Sequence, residues 1–447
     1  MLCASLVLLA LQFVVIWNAV FRTAWDPGAV WYGAHFVEMG DQDGINSMGY
    51  YFSVYPNNLL LVWIYSIVLK LNDVIGTPIA NGTMLLALFQ RIFVTGAGAC
   101  LYKTVRHFAD QKIAWIAYGF YFILGGLSAW IMIPYSDSTG IIFPVFLFWL
   151  YVKLKETESA KKKCVLLFLM FFLCYIGFEI KPMAAIVVIA IVAVEGIHFA
   201  GRLLKKQSVW KKSLLAYCLA AVLGLGAAAG GVSAVVGSMH FPVVTDTVLG
   251  WQHHMMLGLN KDTNGGYSQA DFDYSTSFSS EEEQHAAELK EIGKRLKDFG
   301  VGGYLQHFVK KSARNYFDGC FGWGGLGETF YTEIFPERGT VLCSLIRSLY
   351  YDNTEDTLYR YQALFRQILW YMVLVLVPFS VFTKRPLDKK RQVAVLSVLG
   401  LMLYLQIFEA HARYLYTFVP IFVFLATEGI DNLREYLNQK SERRVKK

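Results

Sequence analysis

The chain has 447 residues, of which 55% are hydrophobic, 16% are aromatic and only 17% are charged, and its formal net charge is +7. Such low charge excludes a disordered chain and argues against an ordinary cytosolic enzyme, in which about 25% of residues would be charged. The apolar residues lie in runs of roughly 15–25 residues, long enough to cross the hydrocarbon core of a bilayer. The composition therefore predicts a protein that crosses a membrane several times.

Eleven apolar runs are candidate spans, so the predicted fold class is all-α, a polytopic transmembrane helical bundle of about 10–11 spans. In chain order they cover residues 2–22, 57–72, 81–102, 113–133, 139–153, 164–178, 182–200, 213–237, 366–383, 392–408 and 414–428. The first run lacks the basic start and the small-residue cleavage site of a signal peptide, so it is interpreted as a retained helix. Because the chain begins abruptly with apolar residues, a truncated N-terminus stays open.

Lysine and arginine residues occur in blocks between the apolar runs, at 103–112, 153–163, 202–212, 384–391 and 440–447. The positive-inside rule places such blocks in the cytoplasm, which predicts a multi-pass protein of the plasma (cytoplasmic) membrane. The surplus positive charge is then a topology signal. Because no zinc-finger or RNA-binding signature accompanies it, no nucleic-acid partner is expected.

The orientation of the first spans is harder to assign. Segment 23–56 contains no lysine or arginine, which predicts an outer loop. If 57–72 and 81–102 both crossed the membrane, Lys103 would lie outside, against the charge rule. One of the two is therefore expected to be short, tilted or re-entrant, and 57–72 is the first candidate because it is shorter and contains Lys70.

Three regions follow from this topology. They are an N-terminal transmembrane module at 1–237, a mainly helical extracytoplasmic segment at 238–365, and C-terminal transmembrane helices with a basic cytoplasmic tail at 366–447. In the middle region, a capping box formed by Ser280 and Glu283 begins an amphipathic helix over 281–299.

The next stretch, 301–318, mixes apolar residues with Lys310, Lys311 and Arg314. That composition predicts a helix that lies in the plane of the lipid headgroups. A disulfide between Cys320 and Cys343 stays open, because sequence spacing does not fix the distance between two Cα atoms.

Polar side chains gather where the apolar runs reach the predicted outer face. They are Asp26 in WDPG, Asp41 and Asp43 in GDQDG, Tyr55, Asn57 and Asn58 in YFSVYPNN, Asp137 in PYSDST, Glu179 and Lys181 in FEIKP, and Glu409, His411 and Arg413 in FEAHARYLY. An ionisable group at membrane depth is costly, so its presence indicates function. The interiors of most runs are apolar, with Gln90 and Arg91 as the main exception.

Carboxylates and cations at an outer membrane surface suit glycosyl transfer from a polyprenyl-phosphate sugar. The acceptor hydroxyl needs a general base, which a carboxylate can supply. The phosphate leaving group needs cationic stabilisation, which arginine and lysine supply. The lipid tail needs an apolar groove between helices, and an aromatic-rich outer loop can stack on sugar faces.

Several weak motifs in a fixed order give the chain a resemblance to the GT-C superfamily. They are WDPGAVWYGA, YFSVYPNNLL, PYSDSTG, EIKP, HHMMLGLN, NGGYSQADFDYS and HARYLYTFVP. Within the superfamily, the chain is similar to bacterial membrane glycosyltransferases of the protein O-mannosyltransferase and aminoarabinose-transferase type, in a Gram-positive branch. The resemblance covers most of the chain.

The resemblance implies roles for particular residues. Asp26 matches the first-loop acidic residue that acts as the general base. However, this sequence has Asp-Pro where relatives often have an acidic pair. Asp41 or Asp43 therefore stays an alternative candidate for the base. Asp137 matches a second-loop acidic residue that holds donor or acceptor, and Lys181 and Arg413 match ligands of the donor phosphate. No cofactor is expected. Some members use a divalent metal ion, but no ligand spacing in this sequence requires one.

Each of these residues also has a structural interpretation. Asp26 could shape a turn, and Asp137 could cap a helix. Lys181 could extend to the interface or pair with Glu179, and Arg413 could pair with Glu409. The three residues Tyr55, Asn57 and Asn58 could begin a helix or contact substrate.

Four functions compete on this evidence. The leading hypothesis is a transferase that uses a polyprenyl-phosphate-linked sugar and an envelope glycan, glycolipid or protein acceptor. A flippase or other transporter of lipid-linked oligosaccharides should show paired polar positions at the middle of several spans. A polysaccharide polymerase or ligase shares the long outer loop, and a non-enzymatic assembly partner should tolerate replacement of Asp26 by asparagine.

Overall fold

The computed structural model describes residues 1–76, 82–206, 212–325, 332–335, 338–351, 357–382 and 387–445. The described part of the chain is mainly helical, with one two-stranded antiparallel pair that joins Phe21–Arg22 to Glu333–Ile334. The all-α fold class is confirmed. Parts of the predicted basic blocks (Lys211, Lys384, Arg385, Lys446 and Lys447) lie outside the described residues.

The N-terminal half contains twelve helices among the described residues. They are α1 (Leu2–Ala19), α2 (Asp26–Met39), α3 (Gln42–Ser47), α4 (Gly49–Val54), α5 (Leu59–Ile75), α6 (Gly82–Phe108), α7 (Gln111–Tyr121), α8 (Ser136–Gly140), α9 (Ile142–Glu156), α10 (Ala160–Ile180), α11 (Ala185–Leu204) and α12 (Lys212–Gly237). Short 3-10 turns at Pro56–Asn58 and Pro182–Ala184 lead into α5 and α11.

The second half continues with seven helices. They are α13 (Trp251–Gly258), α14 (Gln269–Thr276), α15 (Glu281–Tyr316), α16 (Val341–Tyr350), α17 (Thr357–Leu376), α18 (Lys389–Ile407) and α19 (Val419–Val445), the last preceded by a 3-10 helix at Ala412–Phe418. The Ser280 side chain accepts a hydrogen bond from the Glu283 amide at 3.3 Å, which confirms the predicted N-cap of α15. Gly300, with φ of 56°, divides α15 into the two predicted helical pieces.

Ten helices in the described ranges are long and apolar enough to cross a membrane. They correspond to the predicted spans with one exception, 113–133. Both early candidates are full length, at Pro56–Ile75 and Gly82–Phe108, so neither is short, while the alternatives of a tilted or re-entrant segment stay predictions. The irregular segment is instead 113–133, where α7 gives way to a π-turn at Phe122–Gly126 and a 3-10 turn at Ala129–Met132.

The break in 113–133 is stabilised by side chains from other helices. Backbone groups cannot be left unpaired in a lipid environment, so an irregular segment needs partners from the surrounding protein. The backbone carbonyls of this segment accept hydrogen bonds from side chains elsewhere in the protein. Arg366 donates to the carbonyls of Ile123 and Leu127, and Gln90 donates to those of Ile131 and Ile133. Tyr416, Gln12 and Ser138 donate to the carbonyls of Gly125, Gly126 and Trp130, respectively. The predicted polar exception Gln90 is thus explained by structure.

The core lies around the span that begins at Ala412, which is the most buried of the ten, whereas α10 and α12 lie mainly at the outside of the bundle.

The disulfide between Cys320 and Cys343, which the sequence leaves undecided, is not formed. Both cysteines are free, and the Cys343 thiol donates to the carbonyl of Asn18 at 3.4 Å.

The helices α10 and α12 pack closely at Gly224, where a Cβ atom would lie 2.4 Å from the carbonyl oxygen of Phe168.

Replacement of Gly224 by alanine should separate α10 from α12, because the added methyl group meets rigid backbone. Overpacking of this kind costs about 1–3 kcal/mol. We expect a lower thermal unfolding midpoint for the purified protein in detergent. Gly226→Ala on the same helix is the matched control, since its Cβ would meet nothing within 4 Å. Equal midpoints for the two variants would contradict the packing argument.

Candidate functional site

Three charged side chains from distant parts of the sequence meet inside the protein. The Lys181 ammonium lies 2.6 Å from Oδ1 of Asp137, and the Arg413 Nε lies 3.8 Å from its Oδ2. All three residues are buried, with Asp137 only 1% exposed. A buried carboxylate needs compensating charge, so Asp137 ties together the two chain segments that carry the cations.

Local sequence explains how Lys181 reaches this position. Lys181 precedes Pro182, and its extended backbone (φ −151°, ψ 102°) ends α10, as expected for a residue before proline. Gly140 leaves room for it, because a Cβ there would lie 3.1 Å from the Lys181 Cβ. Lys181 therefore pairs with Asp137, and the alternative pairing with Glu179 is not formed.

Arg413 differs from Lys181 because its hydrogen-bond donors are uncommitted. Its side chain donates no hydrogen bond to any described residue, and its Nε is buried without an acceptor. The guanidinium carbon lies 4.4 Å from the centroid of the Trp25 ring, in a cation–π contact. The alternative pairing with Glu409 is not formed either, since Glu409 accepts a bond from the hydroxyl of Tyr414 at 3.0 Å.

Asp26 lies next to this cluster at the start of α2, where the helix dipole favours negative charge. Its Oδ1 accepts a bond from the Tyr51 hydroxyl at 2.9 Å, and its Oδ2 accepts one from the Tyr135 hydroxyl at 3.3 Å. Burial and the Asp26 charge raise the pKa of Tyr51 well above its ordinary value. The tyrosine therefore stays protonated and keeps the carboxylate in place.

Aromatic rings connect Asp26 to the buried charges. The rings of Trp25 and Tyr135 make an edge contact, with their centroids 5.8 Å apart. The centroid of the Tyr135 ring lies 5.9 Å from both the Lys181 ammonium and the Arg413 guanidinium carbon. Asn58 joins the same network, since it donates to the Tyr51 hydroxyl at 2.9 Å and accepts from the Tyr135 hydroxyl at 3.3 Å.

The other predicted site residues lie further out. Tyr55 is half-buried, with its ring 6.5 Å from that of Phe272. Asn57 and Asp43 are exposed and make no hydrogen bond or ion pair with the cluster. Asp41 accepts the Gly44 amide at 3.0 Å, so its side chain is an N-cap of α3. The structure thus brings together Asp26, Asn58, Asp137, Lys181 and Arg413, with Tyr55 at the margin.

Three of the four carboxylate oxygens of Asp26 and Asp137 already accept hydrogen bonds, and Oδ2 of Asp137 is buried without one. Asp137 faces two cations, and Asp26 accepts two tyrosine hydroxyls. A divalent ion would need several free oxygen ligands, and the described part of the chain contains no group of three or more histidine, cysteine or acidic side chains that could hold a metal ion. The described side chains of the cluster therefore do not fit a resident metal ion.

Sequence reasoning missed Tyr51, Tyr135 and Lys311. Tyr135 stands two residues before Asp137, which was a usable signal. Lys311 was expected to face the headgroups but is fully buried, and its ammonium donates to the carbonyls of Gly258, Gln406 and Phe408 at 2.9, 3.0 and 2.6 Å. Desolvation by burial lowers the pKa of Lys311 to about 7, although the Glu409 charge acts in the opposite direction.

The fold and the buried charges at the ends of its spans define an integral membrane protein. The profile of the family described as "conserved hypothetical integral membrane protein" matches residues 1–432, so the chain belongs to this family. No curated protein matches the chain significantly.

Among solved structures, the chain is similar to an oligosaccharyltransferase of Archaeoglobus fulgidus. The match to its AglB in complex with an inhibitory peptide and a dolichol-phosphate has 12% identity, a TM-score of 0.43, and covers 98% of this chain and 51% of that chain. The structure of the enzyme tethered to an acceptor peptide matches with 14% identity and a TM-score of 0.46, covering 98% of this chain and 50% of that chain. The apo form matches with 14% identity and a TM-score of 0.44, covering 99% of this chain and 52% of that chain. The chain therefore spans about half the length of these proteins.

Replacement of Asp137 by asparagine should strongly destabilise the protein, because it leaves the Lys181 ammonium buried without its anion. Loss of one partner of a buried ion pair costs about 3–5 kcal/mol. The double variant Asp137→Asn/Lys181→Met should recover much of this loss. Thermal unfolding in detergent measures both, with exposed Asp262→Asn as control. A double variant less stable than Asp137→Asn would contradict the pairing.

Lys311 should make stability depend on pH. Its pKa is about 7 in the folded chain and near 10.5 when unfolded, so between these values the unfolded chain binds more protons. The free energy of unfolding should then rise with pH, by up to about 1.4 kcal/mol per unit. Burial lowers the pKa of neighbouring His307, so this histidine stays neutral in that window. Lys311→Met should flatten the rise of the unfolding midpoint; an unchanged slope would refute the assignment.

Proposed function

We propose that this protein is a membrane glycosyltransferase of the GT-C class, of the protein O-mannosyltransferase and aminoarabinose-transferase type. It moves a sugar from a polyprenyl-phosphate donor to an envelope glycan, glycolipid or protein on the extracytoplasmic face of the plasma membrane. The observation that carries the proposal is a buried guanidinium with uncommitted donors, Arg413, held within one aromatic network with the carboxylate of Asp26.

The position of the site supports a lipid-linked phosphate as its ligand. Asp137 is the second residue of the span Ser136–Glu156, Lys181 lies between two spans, and Arg413 is the second residue of the span Ala412–Asn438. Groups at the ends of spans lie near the headgroup level of a bilayer. A donor could therefore place its phosphate in the site while its tail stays in lipid.

The chemistry follows from the charges. Asp26 takes the proton of the acceptor hydroxyl as that oxygen forms a bond to the anomeric carbon of the sugar. The bond between the anomeric carbon and the phosphate oxygen breaks, and its electron pair leaves with the polyprenyl phosphate. Arg413 donates hydrogen bonds to the departing phosphate. Asp137 does not touch substrate in this scheme: it neutralises Lys181 and fixes the position of both cations.

A transporter is the less supported alternative. Transport sites use unpaired polar groups near the middle of spans. The polar residues Gln90 and Arg91 in the middle of a span both bind backbone carbonyls. Gln90 donates to the carbonyls of Ile131 and Ile133, and Arg91 donates to those of Leu9 and Leu88. A polymerase or ligase would use the same kind of site, so the donor experiment below also decides between these enzymes.

Asp26→Asn should reduce transfer by roughly 10²–10⁴-fold, the usual contribution of a general base. Asparagine keeps the size of the side chain and can still accept a tyrosine hydroxyl, so the protein should express and unfold as the wild type does. The assay is release of polyprenyl phosphate from a panel of purified polyprenyl-phosphate sugars, and of polyprenyl diphosphate from polyprenyl-diphosphate sugars, by the protein in lipid.

Asp262→Asn is the matched control, because this carboxylate is exposed and outside the network. It should release the product at the wild-type rate. Release from a diphosphate-linked oligosaccharide alone would favour a polymerase or ligase. If folded wild-type protein releases no product from any donor, or if Asp26→Asn remains fully active, the proposed mechanism is wrong.

A further inference from the structure

Lys311 is a buried charge that the proposed chemistry does not use. Its side chain is 0% exposed, and it forms no ion pair with a described residue. All three ammonium hydrogens are instead directed at backbone carbonyls, those of Gly258, Gln406 and Phe408. A buried ammonium is costly, and desolvation lowers its pKa.

The three carbonyls belong to the C-terminal ends of two helices. Gly258 is the last residue of α13, Gln406 lies in the last turn of α18, and Phe408 is the C-cap that follows. Carbonyls at a helix C-terminus lack partners within the helix and carry partial negative charge. Lys311 therefore satisfies two helix ends with one charge and holds them side by side.

Glycine residues allow this close approach. A Cβ on Gly258 would lie 2.5 Å from the carbonyl oxygen of Ile407 and 2.7 Å from that of Phe408. Gly265, with φ of +80°, packs against the stem of Lys311, where a Cβ would lie 2.8 Å from its Cε. The end of α18 is thus in direct contact with the backbone of the extracytoplasmic segment.

The same contact fixes the turn that leads to Arg413. After α18 ends, the amide of Ala410 donates to the carbonyl of Gly265 at 2.7 Å. The carbonyl of Ala410 accepts a hydrogen bond from the Arg314 side chain at 3.3 Å. The Arg413 amide then donates to Nδ1 of His411 at 3.1 Å. The turn at 408–411 is therefore held by one backbone–backbone and one side-chain–backbone hydrogen bond to the segment that Lys311 anchors.

We propose that Lys311 is a positioning residue for the transfer reaction, which binds the ends of α13 and α18 together and thereby fixes Arg413 beside Trp25 and Asp137. The proposal rests on the proposed function for its catalytic consequence. Its structural part, the fixed position of the 408–413 turn, can be measured without any substrate.

The test compares Lys311→Met with Lys310→Met in the purified full-length protein. Lys310 is the exposed neighbour on the same helix, so the two variants make the same chemical change. Hydrogen–deuterium exchange should become faster for amides 406–418 in Lys311→Met alone. Transfer at low donor concentration should fall by roughly 10- to 100-fold in Lys311→Met, as expected when a binding group is misplaced by about 1 Å, and stay unchanged in Lys310→Met.

A double-variant cycle separates positioning from a general loss of structure. If Lys311 acts through Arg413, Lys311→Met should weaken donor binding little further in an Arg413→Gln background. Gly265→Ala, which crowds the lysine stem but keeps the ammonium, is a second variant and should show the same exchange and donor defects. It keeps the test decisive if Lys311→Met does not fold.

The outcomes are distinguishable. Wild-type exchange at 406–418 in both Lys311→Met and Gly265→Ala, or losses that are fully additive with Arg413→Gln, would overturn the proposal. If the wild-type protein transfers no sugar but the exchange difference is present, the proposed function is wrong while the anchoring of the Arg413 turn by Lys311 is supported.

Discussion

The carboxylate of Asp137, buried between Lys181 and Arg413, is the interaction on which the rest of the site depends. It joins the start of α8–α9, the turn between α10 and α11, and the start of the last span. None of these segments can move away alone without leaving an unpaired charge inside the protein. The three helix ends are therefore coupled by charge as well as by packing.

The two cations share this carboxylate unequally. Lys181 lies at hydrogen-bond distance from Asp137 and is neutralised by it, whereas Arg413 lies too far away to donate a hydrogen bond to the same group. Stacking on Trp25 compensates part of the cost of burying Arg413 but leaves its N–H groups unused. An arginine in this condition suits an anion that arrives and leaves, because binding breaks no existing hydrogen bond.

Hydropathy predicted most of the fold because every span must bury its own backbone polar groups, and only helices do so within one segment. It failed at 113–133, where backbone is paired by side chains from elsewhere, such as Arg366 and Gln90, which no local pattern reveals. The site shows the same division. Polarity at span ends selected Asp26, Asp137, Lys181 and Arg413, which the structure brings together, but exposed Asp43 and Asn57 carry the same signal. Lys311 was misassigned because an amphipathic pattern does not state which face of a helix docks on other protein.

The interrupted segment at 122–133 supports one side of the charged cluster. Trp130 and Tyr135 form one wall around Arg413. Trp130 lies within the interrupted segment and Tyr135 follows it. The backbone carbonyls of this segment accept hydrogen bonds from side chains of α1, α6, α17 and the last span. A shift of this wall would strip several carbonyls of their donors at once. The wall is consequently held by more hydrogen bonds than the contact between Tyr55 and Phe272 of α14, which is a stacking of two rings.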